Sequence, residues 1–90
     1  MISPQLLTFI IVAKNGSFSK TAEAMFISPT AVMKQIDSLE ERLGVTLFKR
    51  TNHGLQLTDA GQSFLGDAKY LVDYATRAEE KAREIDRKEN

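Results

Sequence analysis

Ser28-Pro29 and Gly44 bracket the stretch that leaves this chain the least conformational freedom. A serine followed by proline is a strong helix start: the hydroxyl accepts an orphan N–H, and proline has none to leave unpaired. Glycine best tolerates the left-handed conformation that closes a helix. Between them Val32, Ile36, Leu39 and Leu43 recur at spacings of 4, 3 and 4, one face of a 3.6-residue period. A helix over 29–43 follows. Its opposite face, Thr30, Met33, Lys34 and Asp37, is either an ordinary solvated surface or one that reads a partner. Two features favour the second. The face begins at the helix N-terminus, where the dipole favours phosphate, and an exposed Met33 is unusual on a surface that covers nothing.

The flanking segments are shorter but equally punctuated. Pro4 suits the first turn of a helix, and Leu6, Phe9, Ile10 and Ala13 follow at helical spacing before Asn15-Gly16 stops it. Leu7, Ile11 and Val12 make that helix apolar on more than one side. Ser19 is the expected cap of a short second helix, Lys20 to Met25, in which the small Ala22 admits a crossing helix. Phe26 and Ile27 read as an apolar turn pinning the helix that follows. Beyond Gly44, the segments 47–51 and 55–57 alternate well enough for a hairpin, with Asn52-His53-Gly54 as its turn. Two strands alone are marginal, so the hairpin must lean on the helices. Lys49, Arg50 and His53 fall near its tip, where His53 is either a solvated loop residue or a contact to a nucleic-acid backbone.

Thr58-Asp59 opens a last helix that no proline interrupts. Phe64, Ala68, Leu71, Ala75, Ala78, Ala82 and Ile85 are separated alternately by 4 and 3, the 3.5-residue repeat of a helix packed along another helix. About 30 residues at 1.5 Å each give roughly 45 Å, more than the small domain preceding it, so the helix must overhang. The alanine-rich seam is expected to serve a second copy, and Leu65 and Val72 to serve the helix's own domain.

Composition bounds what such an arrangement can do. Ninety residues, 42% of them hydrophobic, make about one domain. With no cysteine, neither a disulfide framework nor a thiolate metal site is available. The apolar N-terminal run has no basic residue before it and ends at Lys14. It is too short for a membrane span and unlike a signal peptide, so a cytoplasmic protein is expected. Net charge is zero but unevenly placed: residues 1–57 hold six basic and four acidic side chains (+2), residues 58–90 six and eight (−2). The mild basic bias sits on the segment with the polar helix face, and phosphate contacts are local.

A short helix, a turn, a longer helix and a basic hairpin, in that order, place one helix in the DNA major groove with a loop beside it. The fold class expected is mainly α with a small β-hairpin, a winged helix-turn-helix over 1–58 and a long linker and dimerisation helix over 59–90. Catalysis is poorly supported: there is one histidine and no glycine-rich phosphate loop, and the adjacent Glu40 and Glu41 point in different directions on a helix. No cofactor and no metal are expected. The competing reading is a winged-helix protein-interaction module that binds no DNA.

The chain resembles the N-terminal DNA-binding domain of LysR-type transcriptional regulators. The resemblance rests on GSFS-x-x-A, S-x-x-A-V-x-K-Q-I-x-x-L-E-x-x-L-G-V-x-L-F-x-R and L-T-x-A-G, and covers residues 3 to about 66. It implies a bacterial regulator that dimerises through antiparallel linker helices and binds interrupted palindromic operators. It also implies DNA-facing roles for Ser28, Pro29, Thr30, Met33 and Lys34 at the recognition helix. Ser19 and Lys20 would touch the backbone from the second helix, and Arg50, Asn52 and His53 would act from the wing. Glu40 is implied to be structural. Three positions depart from the family pattern: Pro29 replaces a usual glutamine, Met33 a serine and Thr21 an alanine. Losing the glutamine removes one bidentate way of reading adenine. The resemblance further implies a segment of a longer regulator, whose effector-sensing domain would take the small-molecule ligand.

Overall fold

The computed structural model describes residues 3–89, so residues 1–2 and 90, the ends of the two assigned segments, lie outside it. Its elements run α1 (Pro4–Asn15), α2 (Phe18–Met25), α3 (Pro29–Leu43), β1 (Phe48–Thr51), β2 (Gly54–Leu57) and α4 (Asp59–Glu89). Local chemistry accounts for most of the ends. Ser3 and Ser28 cap α1 and α3 through hydroxyls that accept from Leu6 N and Ala31 N, each with proline next in the chain. Gly16 and Gly44 close the same helices at φ of 68° and 72°.

The second helix differs from expectation at both ends. Its cap is Ser17, whose Oγ accepts from Lys20 N at 3.2 Å, and Ser19 lies inside the first turn. At its far end Phe26 takes the left-handed conformation (φ 58°) and stands 94% exposed. It therefore pins nothing. Ile27 alone turns inward against the core.

Three helices meet around Phe9, Val12, Ala22, Val32, Ile36 and Leu39. Phe9 is the hub. Its ring lies 5.4 Å from that of Phe48 and 5.3 Å from that of Phe64, both tilted, joining α1 to the hairpin and to α4. Leu43, expected in the core stripe, is 39% exposed and lines a shallow cleft with Val45 and the first turns of α4. Two buried threonines are satisfied rather than stranded. Thr8 Oγ1 donates to Gln35 Oε1, tying α1 to α3. Thr21 Oγ1 donates to Ser17 O at 2.8 Å and accepts from Asn15 Nδ2, so the hydroxyl is accommodated within the bundle.

The hairpin pairs Phe48 with Leu57 through Thr51 with Gly54 in antiparallel register, leaving Asn52 and His53 as the loop. Gly54 belongs to β2 rather than to the turn. Glu40 anchors the approach to β1: its carboxylate accepts from Leu47 N at 2.6 Å and from Phe48 N at 3.3 Å. The start of α4 locks the other side. Thr58 N–H donates to Leu47 O, and Thr58 Oγ1 donates to Thr46 O while capping Gly61 N.

Gly61, Phe64, Leu65 and Ala68 then pack on the core, and Ala68 is fully inaccessible. The first turns of α4 thus complete the domain. Beyond them the helix is mostly exposed, and the molecule measures 56 × 27 × 21 Å. Three i,i+4 pairs, Asp73–Arg77, Glu79–Arg83 and Glu84–Lys88, lie along this overhang with the acid N-terminal, the favourable order. No helix among the described residues is long and apolar enough to cross a membrane.

Candidate nucleic-acid interface

The outward face of α3 is built from its N-terminus. Pro29, Thr30 and Lys34 are exposed, and so is Ser28 before them. The Ser28 hydroxyl accepts from Ala31 N, which leaves its proton free to be donated outward. Met33 is half-buried rather than exposed, because it sits between the outward face and the side that carries Val32 and Ile36. A thioether there offers apolar contact on one flank only. Lys34 joins no ion pair among the described residues, so its ammonium can meet an outside anion.

The structure brings the second helix and the wing together. Ser19 and Lys20 are exposed at the start of α2, and Arg50 projects from β1 above the Phe18 ring, 5.3 Å from its centroid. Ser19, Phe18, Arg50 and Thr51 line one shallow cleft between these elements. Leu55 N–H donates to Gly16 O at 3.4 Å, which ties β2 to the turn leading into α2. At the tip Thr51 Oγ1 accepts from His53 N and donates to Gly54 O, fixing the loop while the side chains of Asn52 and His53 stay exposed. Phe18 was not among the residues singled out from sequence. No local pattern in the sequence links it to Arg50.

The seam assigned to a second copy divides into two parts. Phe64 and Ala68 lie against this chain's own core, because α4 needs them to cover Phe9 and its neighbours. Leu71, Ala78, Ala82 and Ile85 remain exposed, and Ala75 is half-buried. Tyr70 and Tyr74, one register position away, also stand exposed with their rings stacked at 6.3 Å. The open apolar face of the overhang is therefore broader and more aromatic than the repeat indicated. Among the described residues no group of three or more His, Cys, Asp or Glu could hold a metal ion.

Residues 4–62 match the family described as bacterial regulatory helix-turn-helix protein, lysR family. The HTH-type transcriptional regulator ClcR of Pseudomonas putida is 46% identical over 68 residues, which are 76% of this chain and 23% of that protein. The HTH-type transcriptional regulator TfdT of Cupriavidus pinatubonensis is 38% identical over 86 residues, 96% of this chain and 38% of that protein. The chain thus spans only 23% and 38% of the length of these two relatives. Among solved structures, the DNA-binding domain of CbnR in complex with DNA superposes with a TM-score of 0.88 at 35% identity. That match covers 94% of this chain and 98% of the other.

Proposed function

From the premise that the chain belongs to the LysR family of bacterial regulatory helix-turn-helix proteins, we propose that it binds double-stranded DNA sequence-specifically. In this reading α3 lies in the major groove, with Thr30, Met33 and Lys34 toward base edges and Ser28 and Pro29 at the helix mouth. Ser19 and Lys20 contact phosphates from α2, and Arg50, Asn52 and His53 do so from the wing. The observation that carries the reading is the uncovered start of α3. It bears a lysine with no ion pair among the described residues, beside a basic hairpin, in a chain that superposes along nearly all its length on a domain solved on DNA.

The partner reading extends to a second copy. Two domains joined through the exposed part of α4 would recognise an interrupted palindrome, since one recognition helix reads only a few base pairs. In a longer cytoplasmic regulator the small-molecule effector would bind a separate C-terminal domain. The curated relatives are transcriptional regulators rather than enzymes by name, and nothing favours the interaction module that binds no DNA.

Titration of salt against duplex affinity tests the reading. Counterion release predicts log K falling linearly with log salt, and Lys34→Ala weakens binding. If Lys34 reads a base, the loss is about 1–3 kcal/mol and depends on sequence. If it meets only phosphate, the loss is uniform and the salt slope is shallower by about 0.9. Affinity that ignores both salt and Lys34 would refute the assignment.

A further inference from the structure

Arg50 lies on an exposed strand, where a guanidinium ordinarily samples many rotamers and loses that freedom on binding. One contact engages it here, and two others hold the wing against the start of α2. The Phe18 ring lies beneath the guanidinium at 5.3 Å, within cation–π range. Leu55 N–H holds the second wing strand to Gly16 O, just before α2. Gly54 has φ of 105°, and a Cβ there would stand 3.3 Å from the same Gly16 oxygen, so the wing approaches closely. Strand, ring and helix start are therefore held against one another. Arg50 joins no carboxylate among the described residues, so its N–H edge is left for an outside acceptor.

We propose that Phe18 is a positioning residue. Its ring holds the Arg50 guanidinium at the cleft between α2 and the wing, ready to receive one phosphodiester group of a duplex seated on α3. The inference rests on the DNA reading above and adds to it a residue that touches no DNA. Arg50 and Phe18 line the same cleft as Ser19 and Thr51, and the planar guanidinium carries several donors that can be offered to an acceptor there. Preorganisation of this kind lowers the entropy lost on binding without adding a contact.

A double-mutant cycle decides the matter. Duplex affinity is measured for the wild type, Phe18→Leu, Arg50→Ala and the pair, with melting temperature followed in parallel. Phe18→Leu keeps apolar volume but removes the ring face, and should weaken binding roughly two- to fivefold. That loss should vanish in the Arg50→Ala background, since the two act as one unit. Phe18→Tyr, which keeps the ring face, should restore wild-type affinity. In the free protein, the Arg50 Hδ protons should resonate upfield under the ring current and return to ordinary shifts in Phe18→Leu. An equal Phe18→Leu loss with and without Arg50 would overturn the positioning role, as would ordinary Arg50 shifts in the wild type. A wild type that binds no duplex overturns the DNA reading itself, and is recognised because every variant is then equally silent.

Discussion

Phe26 carries the plainest local conflict between residue type and backbone. A non-glycine residue in the left-handed region costs about 1–2 kcal/mol, and Phe26, 94% exposed, recovers little by burial. Asparagine tolerates that conformation better. Phe26→Asn should therefore raise the unfolding free energy by about 0.5–1 kcal/mol, read as an increase in melting temperature; an unchanged or lower value would mean that the ring is held by something else. Gly61 shows the opposite case. An added Cβ would press into the Leu47 carbonyl oxygen, which is itself fixed by the Thr58 N–H. Gly61→Ala should cost roughly 3 kcal/mol, because a backbone group cannot yield as a side chain can. Glu40 is a third such point. Its carboxylate serves two N–H groups at the wing, and Glu40→Ala should cost about 1.5–3 kcal/mol in chemical denaturation.

At the scale of elements, the sequence was most legible where a single residue type has one good reason to be present. Pro4, Gly16, Ser28-Pro29, Gly44 and Thr58 mark helix ends because capping and left-handed closure are local matters, and the structure uses each of them so. Between Ser17 and Ser19 the choice was not local. Either hydroxyl could cap, and α2 starts earlier because Phe18 packs inward against the core. The α4 repeat misled for a related reason. A 3.5-residue seam reports that a helix is covered, not by what. Its first two members are covered by α1 and the hairpin, and only the later ones remain open. The polar face of α3 was readable as a face, but Met33 shows the limit: a residue beside the buried stripe is half-covered, and period alone does not separate edge from centre. The Phe18–Arg50 contact had no sequence signal, since 32 positions and the whole of α3 separate the pair.

For the whole molecule, the question is what an overhanging helix and an exposed reading face accomplish together. The α4 overhang presents Leu71, Tyr74, Ala78, Ala82 and Ile85 to solvent, and the proposal that a second copy covers this face makes a direct prediction. Ala78→Glu is the informative change. In a lone chain the glutamate would lie in water at little cost, whereas in a helix pair it would be desolvated without a counter-ion. Sedimentation equilibrium should show a wild-type dimer and an Ala78→Glu monomer of unchanged helicity. A wild type monomeric at tens of micromolar would remove α4 as the dimer contact. The central claim, that this surface reads sequence, is tested most directly by selection from a random duplex pool. Repeated rounds with the wild type should enrich one short motif, recovered as an inverted repeat at constant spacing, and Lys34→Ala should blur the motif or change it. A pool that is retained in a salt-dependent manner yet stays random in sequence would contradict the account.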